Sequence, residues 1–426
     1  MLPKMGHGFV NQAAQQAYAE KQNLPQRRIF LQLDMPLILA TVMLLLFGLM
    51  MVYSASADFS FYISKDRSIT SIYSIFLRQV LALILAVCAA PLVVLIDYRV
   101  WKKFLYPAVG FVVLLLIMVL FMGENRYGSR RGLFGGAYQP AELAKFVTVI
   151  YVAFWLESKK DDLKDVRLGL FPLIAILAIM SAFIALQPDY SAVLTIIVIG
   201  AILFFLAGAE WKQILYVVLG ILIITAVVVA TDTGKARVFG WFKGVSDPLM
   251  APYQVQRSLE AFYKGGVFGV GIGNGVTKAI GLPTPQSDSI FAIVGEELGL
   301  MGTTFLIGLY LVILWRGLAI SQRAPDHLGT LLSAGMTLWI VMEAFINMAQ
   351  TVNLMPYTGN ALPFISSGGS NLFVSILAIA TILNIAIRSE NRKGENDDLL
   401  SKFVDLRRWD RRRRVSRPRR PASPVQ

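Results

Sequence analysis

The amino-acid sequence predicts an all-α polytopic membrane protein of ten transmembrane helices, and three observations carry that prediction. Apolar residues make up 56% of the chain and the mean hydropathy is +0.60, well above a soluble domain. The apolar runs recur at spanning length and are continuous rather than alternating, which selects helices over a β-barrel. Lys and Arg recur on one side of the alternating spans, as expected for termini in the cytoplasm.

The spans fall at 35–55, 79–97, 104–122, 140–157, 168–186, 190–208, 212–230, 289–315, 328–350 and 370–388. The first begins near Met35 after a polar tail and is long enough to remain as an anchor. Lys21, Arg27 and Arg28 precede it, and Arg99, Lys102 and Lys103 follow the second span. Lys159, Lys160, Lys164 and Arg167 follow the fourth, and Arg316 and Arg323 follow the eighth. Three regions result: a cytoplasmic tail at 1–34, a ten-helix membrane domain at 35–388, and a basic tail at 389–426. The last tail, with RRWDRRRRVSRPRRP, reads as disordered and suited to anionic lipid headgroups. It supplies much of the +13 net charge, and it lacks the folded or aromatic-interleaved surface of a nucleic-acid binder. A lone Cys88 excludes an internal disulfide, and His7 and His327 lie in polar flanks, which disfavours a His metal site or base.

Two loops break the pattern, and both face outward. The connection 231–288 between spans seven and eight is far longer than ordinary connections and carries an amphipathic piece, YQVQRSLEAFY, followed by KGGVFGVGIGNG. Residues 355–370 read MPYTGNALPFISSGGS, whose Pro and Gly forbid continuous helix while Leu362, Phe364 and Ile365 favour membrane depth. Such backbone is tolerated there only under cover of protein or a wet cavity. The glycine sets could cradle phosphate or merely bend the chain.

Charged residues within the apolar segments are costly and need a reason. Asp288 has two readings: an N-cap of the eighth span, together with Ser287 and Ser289, or a partly desolvated carboxylate placed as a general base. Glu296 and Glu297 lie about two turns deeper and read mainly as partners for a cation across the bundle. Lys145 in AELAKF is the cation expected for them, with Glu142 three residues before it on the same face. Arg126, Arg130 and Arg131 in ENRYGSRRG are either a solvated loop or a pyrophosphate clamp. Asp189, in the Gln187-Pro188-Asp189 turn, is explained by turn chemistry.

Taken in order, VYSAS, GSRRG, QPAELAKF, QPDYSAV, YQVQRSLEAFYKGGVFGVGIGN, SDSIFAIVGEELGLMG and NLMPYTGNALPFISSGGSN resemble the SEDS family (shape, elongation, division and sporulation) of FtsW and RodA proteins. The resemblance covers most of the chain. It implies a peptidoglycan glycosyltransferase that polymerises lipid II at the outer face of the bacterial cytoplasmic membrane, beside a class B penicillin-binding protein and other divisome or elongasome proteins. It places the essential carboxylate on Asp288, the family lysine on Lys145 and the tandem carboxylates on Glu296 and Glu297. Ser366 and Ser367 of the SSGGS motif join the arginines and Lys145 as expected substrate contacts. Gly132, Gln286, Ser289 and Ser367 depart from the family pattern. The N-terminal tail and GNGVTK favour the FtsW branch.

The implied chemistry is inverting displacement of undecaprenyl pyrophosphate by a sugar hydroxyl deprotonated by Asp288. No metal-ligand spacing is present, so a divalent ion, Mg2+ or Mn2+, is inferred only from the diphosphate chemistry. A lipid-linked precursor flippase and a noncatalytic scaffold for a transpeptidase are the alternatives.

Overall fold

The computed structural model describes residues 33–63, 73–126, 129–133 and 138–390. The two tails expected from the sequence lie almost wholly outside those residues. Residues 34–389 form one compact unit, in which the described residues build twelve α-helices and one small hairpin. In chain order these are α1 (Met35–Ile63), α2 (Ser74–Leu95), α3 (Leu105–Met122), β1 (Glu124–Arg126), β2 (Ser129–Gly132) and α4 (Pro140–Ser158). Then come α5 (Phe171–Ala185), α6 (Tyr190–Leu206), α7 (Trp211–Ala230), α8 (Asp232–Ser246), α9 (Tyr253–Gly265), α10 (Ile290–Gln322), α11 (His327–Thr351) and α12 (Gly369–Glu390).

A helix stands at each of the ten apolar runs. Among the described residues, eight helical segments are long and apolar enough to cross a membrane. The two that fall short are α6, at 17 residues, and α4, which carries Glu142, Lys145 and Glu157 within 19 residues. Local sequence starts several helices. Asp34 accepts from Leu37 N at 3.2 Å ahead of α1, Asp189 caps α6 through Ala192 N at 3.3 Å, and Asp326 caps α11 through Gly329 N at 2.8 Å. Pro140 opens α4 where its missing N–H costs nothing.

The core is built around α10, which packs on α1, α9 and α11, and around α4, which packs on α3, α6 and α11. The amphipathic piece forms α9, which buries Val255, Ser258 and Ala261 against α10 and turns the Arg257–Glu260–Lys264 ion pairs outward. By contrast α7 buries only Gln213, leaving its apolar surface outward as a lipid-facing helix does.

The Pro/Gly-rich loop 352–368 dips into the bundle as expected. Leu362, Phe364 and Ile365 are buried, and the chain passes so close to α1 that a Cβ on Gly48 would lie 2.2 Å from the Phe364 carbonyl. Tyr310 OH donates to the Pro363 carbonyl, and Gln79 Nε2 donates to the Ser366 carbonyl at 3.1 Å. Protein thus covers the non-helical backbone at depth.

Two polar ties mark the length of the bundle along α1. At its start Asp34 pairs with Arg316, Nε to Oδ1 3.1 Å. Twenty positions later Ser54 Oγ donates to Glu297 at 2.7 Å. Twenty helical residues rise about 30 Å, one hydrocarbon thickness. Glu296 and Glu297 therefore stand at one rim, opposite Arg316, rather than in the middle of the apolar layer.

Candidate active site

Asp288 lies at the end of a non-helical stretch, 282–289, just before α10 begins at Ile290. Ser289 occupies the N-cap position and makes no side-chain cap bond, so the cap expected of this serine–aspartate cluster is not what holds it. The stretch is held by hydrogen bonds from three directions, two of them to its main chain. Ser366 Oγ donates to the Ser287 carbonyl at 2.7 Å and Ser367 N to the Gln286 carbonyl at 2.8 Å. Gln254 of α9 donates to Ser289 Oγ at 2.8 Å. Asn347 of α11 donates to the carbonyls of Asp288 at 3.0 Å and Asn360 at 2.6 Å. One turn further along α11, Gln350 Oε1 accepts from Thr358 N at 2.8 Å, Thr358 Oγ1 at 2.7 Å and Gly359 N at 3.2 Å.

Gly359, at φ +77°, lies against the carboxylate: a Cβ there would be 3.4 Å from Asp288 Oδ2. Asp288 itself is half-buried, and its main chain is fixed by bonds that leave the carboxylate oxygens to other partners. Burial pushes the neighbouring Tyr357 phenol well above its ordinary range; the Asp288 carboxylate adds to that shift and the Arg237 guanidinium opposes it. Arg237, from α8, thus belongs to the same electrostatic neighbourhood.

The deeper carboxylates do not pair with Lys145, contrary to the sequence expectation. Glu297 takes Lys278 Nζ at 2.7 Å and Ser54 Oγ, and Lys278 also donates to Ser54 Oγ at 2.9 Å and the Gly273 carbonyl at 3.1 Å. Glu296 takes Val276 N at 3.0 Å, Thr277 N at 3.1 Å and Thr277 Oγ1 at 2.9 Å. Both are buried, so these bonds replace the water they lose. Just beyond them α10 breaks at Gly299 (φ 66°, ψ −160°). The glycine-rich segment fills the break: Val270 N and Gly271 N donate to the Glu296 and Glu297 carbonyls at 3.0 Å each, and Leu300 N donates to the Gly266 carbonyl at 2.9 Å. A Cβ on Gly299 would meet Gly269 N at 2.4 Å, so the close approach requires glycine. These glycines stitch a broken helix; no phosphate cradle is formed by those bonds.

Lys145 bonds Glu142 at 2.9 and 3.0 Å and forms an ion pair with Glu343 of α11. Asn371 of α12 donates to Glu142 Oε2 at 3.0 Å, and the Trp339 ring lies 5.7 Å from the ammonium. The lysine is buried and committed to two carboxylates, so it locks three helices rather than facing a substrate. Glu343 escaped the sequence reading, although a carboxylate inside span nine is the same signal that drew attention to Lys145.

Ser366 is buried, with its hydroxyl used both as donor to Ser287 and as acceptor from Leu362 N at 2.7 Å. It is a strut for the Asp288 stretch, with its hydroxyl committed to the protein on both sides. Arg126, Arg130 and Arg131 lie on the β1–β2 hairpin, where Asn125 pairs with Arg130 and Arg126 with Ser129; this hairpin was not foreseen, and its arginine side chains lie outside the described residues. Asp189 is a helix cap that also accepts from Ser191 Oγ at 2.8 Å. Among the described residues no group of three or more His, Cys, Asp and Glu could hold a metal ion, so they assemble no cage for Mg2+ or Mn2+.

A membrane-helix bundle with an aspartate held by its main chain beyond one rim defines the class of protein. Its family follows from comparison: the profile of the FtsW/RodA/SpoVE cell cycle proteins matches residues 35–391, and the chain belongs to that family. It is 33% identical over 360 residues to the probable peptidoglycan glycosyltransferase FtsW of Geobacter sp. (strain M18), covering 83% of this chain and 97% of the relative. It is also 33% identical to the stage V sporulation protein E of Bacillus subtilis (strain 168), covering 83% and 96%. Among solved structures, a chain from "Structural coordination of polymerization and crosslinking by a peptidoglycan synthase complex" shares the fold with TM-score 0.68 at 23% identity, covering 84% of this chain and 98% of that one. The rod shape determining protein RodA of Thermus thermophilus gives TM-score 0.60 at 23% identity, covering 83% and 96%.

Proposed function

We propose that this chain is a peptidoglycan glycosyltransferase that polymerises lipid II, with Asp288 as general base. The observation that carries the reading is the placement of Asp288. Its main chain is anchored by Asn347, while Glu297, tied to Ser54 of α1 at the rim of the apolar layer, lies deeper along α10. A carboxylate at that height is suited to a substrate whose lipid tail stays in the bilayer and whose sugars project from it. Ten spans, cytoplasmic termini and an outward-facing site in the bacterial cytoplasmic membrane complete the arrangement, with the helices at all ten apolar runs crossing.

In this mechanism Asp288 takes the proton from an acceptor sugar hydroxyl as that oxygen attacks the donor's anomeric carbon. Undecaprenyl pyrophosphate leaves from the opposite face, so the configuration inverts. A positioned base contributes about 10²–10⁴-fold. Cations must stabilise the leaving diphosphate, and Arg126, Arg130, Arg131 and Arg237 are the arginines proposed for it. Lys145 drops from that set because its ammonium is spent on Glu142 and Glu343. The relatives named FtsW and SpoVE support the division and sporulation side of the family over elongation. A class B penicillin-binding protein is the proposed partner, in keeping with the coupled polymerisation and cross-linking named for the synthase complex of the same fold.

The test is polymerisation of labelled lipid II by the purified protein in detergent, with and without the partner and a divalent ion. Glycan strands formed without any membrane gradient are expected, and Asp288→Asn should reduce their rate by about 10²–10⁴-fold. Wild-type rates in Asp288→Asn would remove the base assignment; no polymer even with the partner would favour a flippase or scaffold.

A further inference from the structure

The segment that links α9 to the Asp288 stretch, residues 266–281, has its polarity inside out. Its outward side chains are apolar: Val267 is 53% exposed, Phe268 78%, Ile272 51% and Ile280 57%, with Val270 and Val276 beside them. Its cation and its hydroxyl point inward instead. Thr277 is buried on Glu296, and the Lys278 side chain, 5% exposed, is folded onto Glu297 and Ser54. Asn274, the polar side chain left outside, turns its amide back to the Val270 carbonyl at 3.2 Å. A water-facing loop would show the reverse arrangement, as α9 does immediately before it with Arg257, Glu260 and Lys264 outward.

Part of the backbone is closed in the same sense. The N–H groups of Gly269, Val270, Gly271, Val276 and Thr277 donate to the Gly265 carbonyl, to the carbonyls freed at the α10 break and to the Glu296 carboxylate. Each such bond lowers the cost of placing non-helical chain in hydrocarbon, where no water can replace it. The height agrees: the strap is bonded to Glu296 and Glu297, which Ser54 places at the rim of the apolar layer. Its outer surface also runs on into exposed Leu300, Met301 and Phe305 of α10, part of the apolar exterior of the bundle.

We propose that residues 266–281 form a strap immersed in the acyl-chain region of the adjoining leaflet, with lipid as the occupant of its apolar face. The buried pair Lys278–Glu297 and the carboxylate Glu296 are then the polar lining that makes immersion affordable. Because the strap leads directly into residues 282–289, lipid contact sets the height of Asp288 above the bilayer; that consequence alone rests on the function proposed above.

The test uses the full chain in vesicles of phosphatidylethanolamine and phosphatidylglycerol, with Cys88→Ala removing the native thiol. Spin labels are placed through Phe268→Cys, Ile272→Cys and Ile280→Cys, and through Glu260→Cys and Lys264→Cys on α9. Collision with oxygen, which concentrates in lipid, is compared with collision with a water-soluble nickel chelate. The three strap positions should favour oxygen and the two α9 positions the chelate, inverting the ratio within a few residues. Chelate access at 268, 272 and 280 equal to that at 264 would overturn the proposal. Exclusion of both reagents would overturn it too, because that pattern means cover by a partner protein or a second copy. The readout needs no activity, so it stands or fails independently of the glycosyltransferase reading.

Discussion

Two buried lysines solve the same electrostatic problem in different ways. Lys145 sits within a regular helix and is shared by two carboxylates, Glu142 on its own helix and Glu343 on α11, with Asn371 of α12 closing the cluster. Lys278 sits on non-helical chain and meets one carboxylate, Glu297, together with the Ser54 hydroxyl and a main-chain carbonyl. The first cluster joins helices to one another. The second joins an irregular segment to a broken helix. Buried ions are expensive in both settings, so what each one retains is geometry that apolar packing would leave undetermined: helix register at Lys145, and the fold of the strap at Lys278.

The comparison is broken most strongly at Lys145. Lys145→Met leaves two carboxylates buried without their cation and should destabilise the bundle by roughly 3–5 kcal/mol, read from thermal unfolding in detergent. Adding Glu142→Gln and Glu343→Gln should recover most of that loss; no recovery would mean that the lysine contributes through something other than this charge cluster. Lys278→Met strips a single partner from Glu297, which keeps Ser54, so a smaller loss, at the lower end of roughly 3–5 kcal/mol or below it, is expected. Its distinguishing mark is local: amide exchange should accelerate at Val270, Gly271 and Thr277 while α4 and α11 stay protected.

Asn347→Ala comes next. It removes bonds to the Asp288 and Asn360 carbonyls and should cost about 1–3 kcal/mol in stability. If Asn347 positions the base, kcat for lipid II polymerisation should fall with KM little changed; a change in KM alone would assign it to binding. Gln350→Ala should give a weaker form of the same effect, since it holds residues 358 and 359 rather than Asp288 itself.

The smallest effect falls at the opposite end of the bundle. There Asp326 meets Arg99 at 2.7 Å with both side chains partly exposed, giving a solvent-screened baseline for the two buried lysines. Burial works to raise the Asp326 carboxyl, but the Gly329 N–H, Tyr98 and Arg99 together hold it below its ordinary value. A depressed carboxyl stabilises the fold above its unfolded pKa, and that contribution fades as pH falls through the lower folded value. Asp326→Asn should therefore flatten the acid limb of a stability–pH profile while changing neutral-pH stability by at most about 1 kcal/mol. A variant whose acid limb matched wild type would show that this pair is energetically silent.

The helices were legible because desolvation acts locally: a run of about twenty apolar residues is a helix in lipid whatever surrounds it. The turn at Gln187-Pro188-Asp189 was legible for the same reason, although the cap that Asp189 gives α6 was not read, and the cap that was read before α10 makes no side-chain bond. The dip of residues 355–370 was legible too, since Pro and Gly beside buried apolar residues leave few other structures. Pairing was not. Lys145 lies 198 positions from Glu343, and Glu297 lies 243 from Ser54, and no local pattern announces which buried charge meets which. The β1–β2 hairpin escaped notice because its strands are short, and the glycine-rich KGGVFGVGIGNG, though noted, did not reveal the strap because its bonds depend on distant partners.

By itself, then, the sequence determined where chain must be helical, where it cannot be, and which carboxylates would be costly to bury. Asp288 was singled out by ordered family motifs before any geometry was known. Only the tertiary structure decided that Ser289 rather than Asp288 takes the cap position, that Asn347 anchors the aspartate's main chain, and that Glu296 and Glu297 line a strap instead of answering Lys145. The reason is that hydrophobic burial is set residue by residue, whereas a buried charge takes its meaning from the particular partners that folding brings within about 3 Å of it.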